Sequence, residues 1–444
     1  MFPFFLGLSS KCGVFEDSEC FFATFDGMKK IAIAICLLGV CGAVYAQRDS
    51  RAEVMADIER AGGTYYLYPM DQPAPTPAPK GYQPFYVSHV GRHGSRFALG
   101  SKIYENLLEI WTRGHEKGWL TPQGEAVYEA YIALYPSIAR REGNLTHKGQ
   151  AQHRYIASQI YKNYPAVFKG PTRAEAVSTV SHRVIVSMFS FLRELDALDR
   201  DFSYDVDYGQ PYQSYLLPDV IDSDEDYPEQ AEQKVNGFLE SIVAAGEVDL
   251  ASMLGRWISQ PDSLLTEPLD FVDAMHTFVS SLDNLDVPAP EVFYSLFTPE
   301  ERYAIWRVEN CAAYELLGRS PDTQNLRVQA MQALWDDFRG KAEADWANGV
   351  QLRLRFAHDS TLMPLLSLLN VNGMGARLDD PAQVEGYWRS FDIPMACNLQ
   401  FIFFKSKKNP DILVQVLLNG REATLPLPMA APGSFYRWED VKNL

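Results

Sequence analysis

Apolar and polar positions alternate along "PFYVSHV" and then change to helical spacing in "ALGSKIYENLLEIWTRG", which reads as strand, turn and helix. The same change recurs twice. "AEAVSTVSHRVIVSMFSFLRELDAL" keeps strand character to Thr179 and turns amphipathic from about Ser181. "VQLRLRFAHDSTLMPLLSLLNV" sets Leu352, Leu354 and Phe356 on one strand face, with Ser360 as the expected cap and Pro364 in the first helical turn. Repeated strand–turn–helix units predict an α/β fold with a mainly parallel sheet. Residues 206–340 are patterned differently, with acidic turns and stretches such as "EQKVNGFLESIVAAG", and predict a mainly helical cap inserted into the core. "NLQFIFFK" and "ILVQVLLNG", flanking "SKKNPD", predict an antiparallel edge hairpin near the C-terminus.

The expected organisation is therefore a core over residues 85–205 and 341–444, interrupted by the 206–340 cap. Residues 47–84 form a lead-in, and four prolines in "PAPTPAP" hold its second half extended. Residues 1–46 read as a leader. From Met28, "MKKIAIAICLLGVCGAVYAQ" has two lysines, an apolar run and small residues before Gln47, the layout of a signal peptide cleaved after Ala46. Residues 1–27 then read as an upstream extension. The expectation is an exported protein, periplasmic or secreted, with lipid attachment at Cys41 as the weaker alternative because Val40 is bulky for a lipobox. After Gln47 no run reaches the ~18 apolar residues of a spanning helix.

Composition narrows the function. The 444 residues are 47 % hydrophobic and 22 % charged, as in globular proteins, and the net charge of −17 argues against nucleic-acid or anionic-membrane partners. Beyond the leader only Cys311 and Cys397 remain, too few for a zinc cage or a disulfide scaffold, and equally able to form one bridge or to pack as core. "DSDEDYPEQAEQ" alternates acids at Asp222, Asp224 and Asp226. It lacks the glycine and glutamate of a calcium loop, and reads as a solvated turn.

Against that acidic background, "SHVGRHGSR" gathers Arg92 and Arg96 around His93. His89 and His93 lie four apart, but the glycines mark a turn and the arginines repel a cation, so no metal is expected. A glycine turn between a strand end and a helix offers free N–H groups to an anion, and guanidinium forks match phosphate oxygens. A neutral His93 between them is the candidate nucleophile, while His89 reads as scaffold. Taken singly, each of these residues also suits a surface ion pair or a satisfied turn.

"RHGSR" resembles the Arg-His-Gly-x-Arg signature of the histidine acid phosphatases, the phytase-like branch of the phosphoglycerate-mutase-like superfamily. "HDSTL" (His358–Leu362) resembles the family's His-Asp pair. Arg183 in "STVSHRVIVS" matches its additional phosphate-binding arginine, and "LTHKGQAQ" its Leu-Thr-x-x-Gly-x-x-Gln segment. The resemblance implies that Arg92, Arg96, Arg183 and His358 hold the phosphoryl group. It further implies that His93 forms a phosphohistidine and that Asp359 acts as acid and then base, with an acid optimum and no cofactor. The expected partner is a small phosphate ester, inositol phosphates such as phytate first, with broad acid phosphatase or sugar phosphatase activity as the alternative. A phosphomutase and a non-catalytic binder are remoter readings. Phe97 stands where the family commonly has proline. That aromatic and "PMACNLQFIFF" are similar to the inositol-polyphosphate branch, whereas Asp359 follows the ordinary branch.

Overall fold

The computed structural model describes residues 47–100, 102–218 and 228–444. The leader and the acidic turn around Asp222, Asp224 and Asp226 lie outside the described residues. Eight strands form one sheet: β1 (Tyr82–Arg92), β2 (Thr172–Ser178), β3 (Phe202–Tyr208), β4 (Leu352–Ala357), β5 (Asn398–Ser406), β6 (Leu413–Leu418), β7 (Arg421–Glu422) and β8 (Phe435–Arg437). Their order is β3-β2-β4-β1-β5-β6-β7, with β8 also on β6. From β3 to β1 all neighbours are parallel, and β5 to β8 run antiparallel. The fold is α/β, and the β5–β6 hairpin lies inside the sheet rather than at its edge, because β5 pairs along nearly all of β1.

Alternation in β4 explains how both faces are covered. Leu352, Leu354 and Phe356 pack with the helices His147–Asn163 and His182–Leu198. Arg353 and Arg355 point the other way and are buried, paired with Asp345 and Asp337 of the helix Gln332–Ala347. That helix also stacks Trp335 and Phe338 near Phe401, so it belongs to the sheet's own covering layer. The helical layer therefore divides differently from the expected 206–340 insertion. A separate apolar cluster joins the helices Ile103–Lys117 and Pro122–Ile138 to Glu229–Ala244, Pro268–Ser281 and Pro299–Leu317. Two segments far apart in sequence thus build the cap together.

The first half of the lead-in is helical. A helix, Ser50–Ala56, and a 3-10 stretch, Ile58–Tyr65, pack Val54 and Ala61 against Trp306 and Phe391. The helix after β4, Asp359–Leu368, has His358 rather than Ser360 at its N-cap position, and Pro364 lies in its second turn. Among the described residues no helix is long and apolar enough to cross a membrane.

Candidate active site

The parallel strands β1, β4 and β2 end side by side, and each runs straight into a candidate residue. Arg92 pairs with Ala357 in register and His93 follows. His358 and Asp359 open the helix after β4, and Arg183 lies in the first turn of the helix after β2. The topology, with crossover helices between parallel strands, brings these distant segments to one edge, where ligands of α/β sheets bind. All six predicted residues meet there.

His93 is only 1 % exposed. Its Nδ1 faces the carbonyl of Gly94 at 2.9 Å, so Nδ1 carries the proton and donates, leaving a lone pair on Nε2. Burial first, then Arg92, Arg96, Arg183 and His358, hold its pKa well below the usual histidine value, so the ring is neutral. Its ring centroid is 5.7 Å from that of His358.

The guanidiniums are held by groups no local motif announces. Arg92 donates through Nη1 to the carbonyls of Thr64 (2.6 Å) and Ile393 (2.9 Å), and Nη2 lies 2.7 Å from Asp359. Arg96 donates to Tyr65 Oη (3.2 Å) and to the Phe97 carbonyl (3.1 Å), with the Tyr65 ring 4.9 Å from the guanidinium carbon. The Nε–H groups of Arg92, Arg96 and Arg183 are buried without a hydrogen-bond partner among the described residues. Three guanidiniums close enough to act on one histidine, each with an unpartnered buried N–H, suit an anion.

His358 has both nitrogens engaged. Arg183 donates to Nδ1 at 3.4 Å, so Nε2 holds the proton and donates to Thr179 Oγ1 at 3.0 Å. Burial and Arg183 push its pKa down to about 3. To meet a phosphate oxygen it must either accept a P–OH proton at Nδ1 or become imidazolium. Asp359 is a quarter exposed toward the cleft. Burial would raise its pKa, but Arg92, Arg96 and His358 outweigh that and hold it below the ordinary carboxylate range.

The histidine turn is braced from behind. Thr146 N and Oγ1 both donate to the Ser95 carbonyl (2.9 and 3.0 Å), and Gln152 Oε1 accepts from Ser95 N (2.8 Å). A Cβ on Gly94 would lie 2.4 Å from the Gly149 carbonyl oxygen, and one on Gly149 2.3 Å from that of Ser95. This is what the "LTHKGQAQ" segment does: it seats the turn. Phe97 now has an account too. Its N–H donates to the Asn144 carbonyl at 3.0 Å, a bond proline cannot make, and its ring is buried in the cap cluster with Arg141 stacked on it. His89 is buried between Phe191 and Phe356, away from the cleft, and His182 bonds Asn144. Cys311 and Cys397 are both buried free thiols. Tyr65, Thr64 and Ile393 were invisible to sequence reading; the Gly62-Gly63 pair beside them was the only hint.

Fold and site together set an unprotonated histidine nitrogen beside three buried guanidiniums at one edge of an α/β sheet. The model for the histidine phosphatase superfamily (branch 2) matches residues 313–419. Human multiple inositol polyphosphate phosphatase 1 is 24 % identical over 388 residues, 79 % of this chain and 77 % of that protein. The crystal structure of Bifidobacterium longum multiple inositol polyphosphate phosphatase with phosphate superposes with a TM-score of 0.66 at 19 % identity, covering 86 % of this chain and 97 % of that one. The D. castellii phytase gives 0.61 at 16 %, over 87 % and 84 %. Over residues 313–419 the chain is thus similar to the histidine phosphatase superfamily (branch 2), and its fold is shared with these solved structures.

Proposed function

We propose that the protein is a phosphoric monoester hydrolase that works through a phosphohistidine on His93. The observation that carries this reading is the His93 ring itself: proton fixed on Nδ1, Nε2 free, and the unpartnered Nε–H groups of Arg92, Arg96 and Arg183 clustered with it. Nε2 attacks phosphorus, and the arginines, with His358, stabilise charge on the phosphoryl oxygens. Asp359, facing the cleft, gives the leaving oxygen its proton and then takes one from the water that hydrolyses the intermediate. Every step uses side chains present in the site. Inositol phosphates lead the substrate expectation, since the relatives carry that substrate in their names.

The test is a rapid-quench experiment with labelled p-nitrophenyl phosphate. We expect an acid-labile, base-stable protein-bound phosphate, and none in His93→Ala, whose turnover falls by several orders of magnitude while its circular dichroism stays native. Normal turnover by His93→Ala would remove the nucleophile assignment.

A further inference from the structure

The cleft above His93 has a volume of about 500 Å³, within the roughly 300–1,000 Å³ of small-molecule sites. One end is the phosphoryl site, edged by Arg183, His358 and Asp359. Away from that end its wall changes character. The helices Glu229–Ala244, Pro268–Ser281 and Pro299–Leu317 line it with Leu239, Ile242, Val272, Val308 and Ala312, and Met363 closes it from the core side. This wall offers a second phosphate little positive charge. Asp273 and Glu309 face the cleft, Glu309 also bonding His276 at 2.7 Å, while the one further cation among the described lining residues, Arg327, is already engaged. A partly open apolar cleft of this size beside the arginines can take a short organic chain.

We infer that the preferred substrate carries a single phosphate on an alcohol with an aliphatic chain, the phosphate on the arginines and the chain along the apolar wall. This rests on the phosphatase reading above and departs from its inositol-phosphate expectation. A ring bearing several phosphates would set anions against Glu309 and the apolar side chains and leave the aliphatic wall wet. A chain instead removes that wall from water, and each methylene it buries adds binding.

The decisive measurement is kcat/KM for ethyl, butyl, hexyl and octyl phosphate below their aggregation limits, beside p-nitrophenyl phosphate and inositol hexakisphosphate. We expect kcat/KM to rise roughly three-fold per methylene until the cleft is filled. Ala313→Phe, which projects a ring into the cleft from a half-buried position, should cut the octyl ester by about ten-fold or more and leave the ethyl ester within about two-fold. A flat alkyl series, or inositol hexakisphosphate ahead of octyl phosphate, overturns the inference while leaving the phosphatase reading intact. Failure on every ester would count against the phosphatase reading alone. In that case calorimetry with ethylphosphonate and octylphosphonate, which needs no turnover, still decides the cleft: equal affinities reject it, and tighter octyl binding supports it.

Discussion

Asp359 sits against Arg92 and is held ionised, yet the proposed reaction asks it for a proton. The proton must then enter with the substrate, as the phosphate monoanion, whose second pKa is about 6. Once the phosphate engages the arginines, their hold on Asp359 weakens, its pKa rises and it can take that proton and pass it to the leaving oxygen. His93 meanwhile stays neutral well into the acid range, because its pKa is lowered. Two results follow at this scale. kcat/KM should fall about ten-fold per pH unit above pH ~6 and show no matching acid limb from His93. Asp359→Asn should lose on the order of 10²–10⁴ in rate on alkyl phosphates and far less on p-nitrophenyl phosphate, whose leaving group departs as an anion. Equal losses on both esters would contradict the acid role.

At the scale of elements, the site depends on one helix pressed against one turn. Gly149, in the helix His147–Asn163, lets the Ser95 carbonyl come close enough for Thr146 to bond it, and Gly94 returns the approach. Gly149→Ala forces the two apart by a fraction of an ångström or more. A misplacement of about 1 Å near a reacting centre can cost about 10²-fold, so we expect kcat on p-nitrophenyl phosphate to drop by at least ~10-fold for a stability loss of about 1–3 kcal/mol. Gly237→Ala, in the helix Glu229–Ala244 with open space where its methyl would go, is the control and should leave kcat unchanged. Activity retained in Gly149→Ala would show that the brace is not needed. This contact also marks the limit of what the chain discloses by itself. "RHGSR", "HDSTL" and Arg183 were legible because each is a short motif at a strand–helix junction. The α/β class was legible because periodicity changed from strand to helix three times. Tyr65, Thr64 and Ile393 were not, since their contacts with Arg92 and Arg96 join segments 28 to 301 residues apart. The boundary of the cap was not legible for the same kind of reason. Helical spacing shows that Gln332–Ala347 has a buried face, but only the ion pairs of Asp337 and Asp345 with β4 show that the sheet covers it.

Across the whole molecule, the acid chemistry and the fold pull in opposite directions. His89, His153 and His358 are buried neutral, and burial pushes each pKa down to about 3, below the ~6.5 of an unfolded histidine. A folded pKa below the unfolded one gives stability that is complete above pH ~6.5 and is lost as pH falls from there toward 3. His93 acts in the same sense. Three buried carboxyls oppose this. Burial pushes Asp273 and Asp392 up to about 8 and about 6 and raises Glu315 as well, so protonating them as pH falls favours the folded state. Four histidines against three carboxyls leave a net loss below pH ~6.5. The melting temperature should therefore peak near pH 6–7 and decline toward pH 4, where turnover of substrate monoanion is still favoured. Activity should accordingly be limited on its acid side by unfolding rather than by His93. His153 is the residue with which to test this, since it lies in the core and makes no hydrogen bond of normal geometry. With His153→Leu, urea titrations at successive pH values should show the variant gaining on the parent by about 1.4 kcal/mol for each unit lowered between pH 6 and 4, one proton's worth. Parallel stability curves for the two proteins would mean that His153 is not titrating on unfolding, and the acid boundary of activity would then have to come from the site itself.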